Sequence, residues 1–219
     1  MLKIGHRGAK GYADENTLAS FQKAVDLHCD GIELDVHLSL DDEIMVIHDA
    51  SIDRTTNGIG LVKDKKASEL KRFGIPTLED VFLLINKKCF INIEIKEPKA
   101  TFKVVALVQK FVSEKQWNYN QILISSFDWE VLNQVSILNS NLLIGVLTDS
   151  DLEKTLSFAQ KINAYSIHPF HQLLAKEKVT LWQQNGFLVF PWTVNDPDEI
   201  ALLKSFNVDG IISDFPDKL

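Results

Sequence analysis

The chain has 219 residues, of which 45% are hydrophobic and 24% are charged, and it contains 10 Gly and 6 Pro. This composition is typical of a globular protein with one sizeable core and excludes the fibrous and disordered classes. Asp and Glu number 30 against 23 Lys and Arg, and the resulting net charge of −7 argues against nucleic acid as a partner. Because the N-terminus has no apolar signal region and no apolar run reaches about 18 residues, we expect a cytoplasmic protein without stable membrane insertion.

Apolar β-branched runs alternate with segments of helical periodicity along the chain, which predicts βα units and a largely parallel sheet. The predicted strands are Leu2 to Gly5, Gly31 to Val36, Glu43 to Ile47, Phe90 to Lys96, Gln121 to Ser126, Leu142 to Leu147, Ala164 to Ile167, Phe187 to Trp192 and Gly210 to Ser213. The predicted helices are Leu18 to Leu27, Leu78 to Asn86, Thr101 to Lys115, Trp129 to Leu138, Asp151 to Lys161, Gln172 to Gln184 and Asp198 to Phe206. Since the unit recurs about every 25 residues, the pattern favours one (β/α)₈ TIM-barrel domain over residues 1–219.

The predicted strands exceed the barrel's eight by one. The connection that follows the second strand is too short for a parallel crossover, so the third predicted strand should run antiparallel as a small hairpin insertion. A two-residue turn at Asp41–Asp42 would pair Leu40 with Glu43. The same register would place His48 opposite Asp35.

Carboxylates occur with strand periodicity in two of the predicted strands. Glu33 and Asp35 are two residues apart and therefore project from one face, as do Glu94 and Lys96 on the next parallel strand. Like charges at this spacing repel each other unless a cation lies between them, and oxygen ligands favour a hard divalent ion over zinc. The alternatives are solvated strand ends or an internal Glu–Lys ion pair.

Two histidines close predicted strands: His6 follows the first strand and His48 ends the hairpin. An imidazole can serve as general base and then as general acid near neutral pH. His37, in contrast, is predicted to be a hydrogen-bonded core or surface residue. Arg7, next to His6, could hold a phosphate with its guanidinium or could instead bridge two acids structurally.

The start of the first predicted helix carries a further acidic motif, Glu15-Asn16-Thr17. Either Asn16 or Thr17 could cap this helix. Capping alone does not require Glu15. Glu15 and Asn16 are expected among the substrate-binding residues. Phe127 follows one predicted strand and Trp192 ends another, at the same end of the barrel, where their rings could form the wall of a pocket.

Ordered motifs along almost the whole chain resemble one known family. They are His6-Arg7-Gly8, Glu15-Asn16-Thr17, Glu33-Leu34-Asp35, His48-Asp49, Pro76-Thr77-Leu78, Glu94-Ile95-Lys96, Ser126-Phe127, Trp192-Thr193-Val194-Asn195 and Asp209-Gly210-Ile211-Ile212-Ser213-Asp214. The series resembles the glycerophosphodiester phosphodiesterases, which hydrolyse glycerophosphodiesters to glycerol 3-phosphate and an alcohol. The resemblance implies a (β/α)₈ fold with one Mg²⁺ or Ca²⁺.

The resemblance also implies a role for each matched residue. Glu33, Asp35 and Glu94 would hold the metal, and His6 and His48 would act as general acid and base. Arg7 and Lys96 would contact the phosphate of the substrate.

Two other functions remain open at this stage. A relative of this kind could instead act as a lysophospholipase D-like phospholipid phosphodiesterase. A non-catalytic barrel that binds polyol phosphates is the second alternative, although such a protein would be expected to lose a metal ligand or a histidine.

The segment Ala50 to Ile75 is shorter than the insertion that many family members carry there. The sequence leaves open the alcohol, the oligomeric state and whether water or a glycerol hydroxyl attacks first.

Overall fold

Nine strands form one sheet that curls into a nearly closed (β/α)₈ TIM barrel in the computed structural model, which describes residues 1–219. The strands are β1 (Leu2–Gly5), β2 (Gly31–Leu38), β3 (Ile44–Val46), β4 (Phe90–Ile95), β5 (Ile122–Ser126), β6 (Leu143–Thr148), β7 (Ser166–Pro169), β8 (Leu188–Val189) and β9 (Gly210–Ser213). The helices are α1 (Leu18–Asp26), α2 (Ala67–Leu70), α3 (Leu78–Ile85), α4 (Thr101–Lys115), α5 (Trp129–Leu138), α6 (Leu152–Lys161), α7 (Lys176–Gln184) and α8 (Pro197–Ser205). The predicted fold class is therefore confirmed.

The parallel strands follow the spatial order β8-β7-β6-β5-β4-β2-β1-β9, with β3 antiparallel on β2. Backbone hydrogen bonds also join the two ends of this order. The Asp209 N–H donates to the Val189 carbonyl at 3.1 Å and the Ile212 N–H donates to the Pro191 carbonyl at 3.0 Å. These bonds bring β8 and β9 together, so that the carboxyl ends of all the parallel strands surround one mouth.

Helix starts are set by side-chain caps. Thr17 begins α1 and Thr77 begins α3, each in a capping box in which its side chain accepts a hydrogen bond from the N–H three residues later. Asp128, Asp151 and Asp196 cap α5, α6 and α8 through a carboxylate oxygen that accepts hydrogen bonds from N–H groups of the first turn, without a capping box. None of the helices is both long and apolar enough to cross a bilayer.

The lower part of the barrel interior is an apolar plug. Ile4, Leu123 and Ile212, from three different strands, form one buried cluster with Phe190, which follows β8. The larger core lies between the outer faces of the strands and the helices. Charged side chains inside the barrel are therefore confined to the carboxyl ends of the strands, above this plug.

The hairpin formed by β2 and β3 is confirmed, but its predicted register is wrong by one residue. The Ile47 N–H donates to the Asp35 carbonyl at 3.0 Å, so that Ile47, and not His48, lies opposite Asp35. His48 follows the end of β3, and it reaches the mouth of the barrel from the bend there.

The length of the turn explains the shift. The Ser39 N–H donates to the Glu43 carbonyl, which leaves three residues in the turn instead of two. Asp42, the last of the three, has a φ of +63°. Three-residue hairpin turns end in a left-handed residue, and Asp tolerates that conformation better than most side chains do.

The last third of the chain also differs from the predicted elements. Helix α7 begins at Lys176 rather than at Gln172, after a short 3₁₀ turn at His171–Leu173. The His171 N–H donates to the Trp192 carbonyl, so this segment bonds to the residues that follow β8 and does not start a helix. Strand β8 is shorter than predicted, although the Phe190 and Trp192 N–H groups still donate to Ile167 and Pro169 of β7. Pro191, between them, has no N–H to donate on its other side.

Gly145 on β6 is required by the packing of the barrel interior. A Cβ atom added there would lie 2.5 Å from Cε1 of His168, whose side chain is fully buried. We expect Gly145→Ala to lower the free energy of unfolding by about 1–3 kcal/mol, the usual cost of overpacking, as measured by urea denaturation. Gly74→Ala isolates the other cost of an added Cβ. Gly74 has a φ of +82° but no atom within 4 Å of the added Cβ, so this variant carries backbone strain without overpacking, whereas Gly145→Ala carries overpacking without that strain. Wild-type stability in Gly145→Ala would contradict this packing.

Candidate active site

Three carboxylates converge at the mouth of the barrel. Glu33 and Asp35 come from β2 and Glu94 from β4, where Asp35 and Glu94 are register partners. One oxygen from each of the three lies within 4.8 Å of the others, and all three residues are buried. The period-2 pattern of the strands, together with parallel pairing, produces this cluster without any contribution from the loops.

The electrostatics of this cluster favour a bound cation. Burial, together with the neighbouring Asp35 charge, holds the pKa of Glu33 well above its usual value and raises the pKa of Glu94 to about 7. Burial also acts on Asp35, but Lys96 and then Arg7 outweigh it and lower the pKa of this carboxyl. Since the donor set is three oxygens without Cys or His, the residues fit a hard divalent ion such as Mg²⁺ or Ca²⁺.

Two cationic side chains flank the carboxylates. Lys96 Nζ lies 2.6 Å from Glu94 Oε1 and 3.5 Å from Asp35 Oδ1. Arg7 Nε lies 3.4 Å from Asp35 Oδ2, and the Arg7 N–H donates to Glu33 Oε2 at 2.9 Å. Arg7 has a φ of +50°, a left-handed conformation that aims its backbone N–H at this carboxylate. Arg7 thus bridges acids, as its structural alternative predicts, and it also lines the cavity.

His6 is held by Asp214, a carboxylate outside the cluster of three. Its Nδ1 lies 2.6 Å from Oδ1 of Asp214, whose Oδ2 accepts a hydrogen bond from Asn195 Nδ2 at 2.9 Å. Burial lowers the pKa of His6 more than Asp214 raises it. Burial raises the pKa of Asp214, but the hydrogen bond and charge of His6, together with the hydrogen bond from Asn195, lower it by more in sum, and the net pKa is lowered. The ring is therefore fixed through Nδ1.

His48 has a similar arrangement on the opposite side. Its Nδ1 lies 2.6 Å from Oδ1 of Asp49, and burial keeps its pKa below the usual value. His37 lies beside it, where its Nε2 is 3.0 Å from the His48 carbonyl oxygen, so His37 has the hydrogen-bonded core role that the sequence predicts. Both cavity histidines are therefore oriented by an aspartate.

A cavity of about 100 Å³ joins these groups. The predicted site residues that line it are His6, Arg7, Glu33, His48, Glu94, Lys96, Phe127 and Trp192. The rings of Phe127 and Trp192 meet edge to face, with centroids 5.3 Å apart, on the outer side of the cavity. Acidic, basic and imidazole groups thus share one pocket with an aromatic rim.

Glu15 and Asn16 do not line this cavity. Asn16 is buried and uses its amide on Asp35, donating from Nδ2 to Oδ2 at 2.9 Å. Burial raises the pKa of Glu15, but hydrogen bonds from Arg54 and Arg7 lower it to about 2. The two residues therefore support other site residues, whereas the sequence assigned them to substrate contact. The helix cap is Thr17 alone.

Some of the supporting residues were not among the predicted site residues. Asp49, Asn195 and Asp214 belong to quoted motifs, and their position next to a histidine or at a strand end was the available signal. Arg54 has no such signal in the sequence, because it lies in an irregular segment and contacts Asp49 and Glu15 only through its long side chain.

Known proteins resemble this chain in sequence and in fold. The family model described as glycerophosphoryl diester phosphodiesterase family matches residues 6–218. A glycerophosphodiester phosphodiesterase of Caldanaerobacter subterraneus subsp. tengcongensis is 39% identical, over 100% of this chain and 96% of that protein. The crystal structure of the Thermotoga maritima glycerophosphodiester phosphodiesterase superposes with a TM-score of 0.86 at 31% identity, covering 99% of this chain and 96% of its own.

A further solved structure contains a ligand. It is an Oleispira antarctica phosphodiesterase in complex with the product sn-glycerol-3-phosphate. It superposes with a TM-score of 0.88 at 25% identity, covering 98% of this chain and 93% of its own.

The carboxylate cluster generates a prediction about metal binding. At about 100 times its Kd, Mg²⁺ or Ca²⁺ is expected to raise the Tm by roughly 5 °C or more, because it binds only the folded state. Glu33→Gln should abolish this response and raise the Tm of the metal-free protein, since it removes a repelled buried carboxylate. Glu114→Gln, on an exposed helix position, is the control. An unchanged metal response in Glu33→Gln would refute this site.

Proposed function

The chain belongs to the glycerophosphoryl diester phosphodiesterase family, and from that premise we propose that it hydrolyses glycerophosphodiesters to glycerol 3-phosphate and an alcohol with the help of one divalent cation. One observation carries the proposal: two aspartate-bound histidines face the same cavity as two cationic side chains and two carboxylates of the cluster, Glu33 and Glu94. Substrates of the family are small molecules, and the proposal includes a cytoplasmic location for the single barrel over residues 1–219.

Glu33, Asp35 and Glu94 would hold the cation. When bound, an Mg²⁺ or Ca²⁺ ion would supply a Lewis acid that offsets negative charge on the phosphate. Lys96 and Arg7 would add two fixed positive charges at the same end of the cavity. Because their counter-charges are buried carboxylates, both side chains are already oriented before substrate arrives, which avoids reorganisation during the reaction.

His6 and His48 would move the protons. An ionised Asp214 makes His6 Nδ1–H a donor, so the neutral ring leaves Nε2 as the acceptor, and Asp49 has the same effect on His48. During hydrolysis a proton leaves the attacking water or glycerol hydroxyl for Nε2 of one neutral imidazole. The other imidazole must enter the step protonated on both nitrogens, so that it can give its Nε2 proton to the alcohol oxygen as the bond between that oxygen and phosphorus breaks. Phe127 and Trp192 would pack against the apolar part of the substrate at the outer rim of the cavity.

The experiment that tests this function measures glycerol 3-phosphate release. The substrates are glycerophosphocholine, glycerophosphoethanolamine and lysophosphatidylcholine, each with EDTA and with Mg²⁺ or Ca²⁺ restored. We expect metal-dependent release from the two glycerophosphodiesters. Choline release from lysophosphatidylcholine alone would favour the lysophospholipase D-like function. Binding of glycerol 3-phosphate without turnover of any substrate would favour a non-catalytic barrel.

The two histidines generate a separate prediction. His6→Ala and His48→Ala should each lower kcat by about 10² to 10⁴-fold, while the metal-induced rise in Tm stays. The double variant should be little worse than the poorer single variant, because groups that act as one unit are not additive. His171→Ala, a partly buried histidine outside the cavity, is the matched control. Near-normal kcat in His48→Ala would show that His48 has another role.

A further inference from the structure

Arg54 connects two carboxylates that come from different segments of the chain. Its Nε donates to Asp49 Oδ2 at 2.6 Å and its Nη2 donates to Asp49 Oδ1 at 3.1 Å. The same guanidinium donates from Nη1 to Glu15 Oε2 at 3.0 Å and from Nη2 to Glu15 Oε1 at 2.7 Å. Both carboxylates are thus held in bidentate geometry, which a planar guanidinium provides and an ammonium does not.

Each of these carboxylates holds a residue of the cavity. Asp49 lies 2.6 Å from His48 Nδ1, and Glu15 accepts from Arg7 Nη1 at 2.7 Å. A continuous path of charge-assisted hydrogen bonds therefore runs from His48 through Asp49, Arg54 and Glu15 to Arg7. It joins the segment after the hairpin to the loop between β1 and α1.

The charges along this path alternate in sign. Hydrogen bonds from Arg54 hold the pKa of Asp49 below its usual value and help to lower that of Glu15, so both carboxylates are ionised at neutral pH. The Arg54 side chain is 48% exposed, so replacing it leaves no cavity in a core. Its pair with the partly exposed Asp49 contributes little to global stability, and the more buried Glu15 keeps Arg7 as a partner when Arg54 is replaced. The geometry of Arg54 matters for the two cavity residues that it links.

We propose that Arg54 is a positioning residue that fixes the mutual orientation of His48 and Arg7, and through them the distance between the proton-transferring imidazole and the phosphate-binding guanidinium. The inference rests on the proposed function for its catalytic consequence. Its structural half, the orientation of the His48 ring, is independent of any substrate.

The kinetic test compares Arg54→Gln and Arg54→Lys with Arg72→Gln, an exposed arginine on a separate turn. We expect kcat to fall by about 10- to 100-fold in Arg54→Gln, the scale of a small misplacement of reacting groups, with a smaller change in KM. Arg54→Lys should recover little, because an ammonium cannot bind both carboxylates in bidentate form. Arg72→Gln should keep wild-type kcat.

Chemical rescue distinguishes positioning from a merely structural role. Guanidinium at tens of millimolar should restore part of the kcat of Arg54→Ala, whereas ammonium chloride at the same concentration should not. Guanidinium should not restore the kcat of His48→Ala. A kcat within twofold of wild type in Arg54→Gln would overturn the proposal, and so would a loss of activity that guanidinium does not rescue.

A substrate-free measurement separates failure of this inference from failure of the proposed function. The His48 imidazole signals in ¹H–¹⁵N spectra, assigned by their loss in His48→Ala, should shift in Arg54→Gln and stay in place in Arg72→Gln. Unshifted signals would overturn the positioning role even if the enzyme hydrolyses the substrates. Shifted signals in a protein that hydrolyses none of them would refute the proposed function and leave the orientation of His48 established.

Discussion

Mutual repulsion among Glu33, Asp35 and Glu94 is the constraint around which this end of the barrel is arranged. Parallel pairing of β2 with β4 brings the carboxylates together in a buried environment, where burial and the Asp35 charge raise the pKa of Glu33 and of Glu94. Lys96 and Arg7 compensate part of the charge, and their side chains are fixed in doing so. A divalent cation at the proposed metal site would relieve the same repulsion that destabilises the carboxylate cluster, so stability and binding would be opposed there.

Most of the fold follows from periodicity, and the sequence predicts it well. Strands whose side chains alternate between polar and apolar within an otherwise apolar run indicate which carboxylates share a face, and βα alternation indicates that their ends meet at one mouth. Glu33, Asp35 and Glu94 were predictable for this reason. The hairpin was predictable as well, but its register was not, because that depended on the left-handed conformation of Asp42, which adds one residue to the turn.

The supporting contacts follow a different rule. Asn16 and Glu15 were assigned to substrate, yet one bonds Asp35 and the other bonds Arg7 and Arg54. These residues lie on irregular backbone, so their side chains have no face that a period could reveal. Asn16 has a φ of +57°, which turns its amide inward toward Asp35. Motif order identified the residues of this loop, but only the path of the chain determines which neighbour each one meets.

The strands and the loops therefore position different residues of the site. The barrel strands fix the carboxylates and Lys96 through backbone register, a constraint distributed over many hydrogen bonds and insensitive to any one side chain. His48 and Arg7 depend instead on single side chains of the connecting segments, and each has an acid that holds its polar atoms in place. Because these acids meet at one guanidinium, the two loops are coupled to each other and not only to the barrel. Under the proposed function, loop substitutions that leave the barrel intact would alter the geometry of the His48 imidazole relative to the Arg7 guanidinium without disturbing the carboxylate cluster.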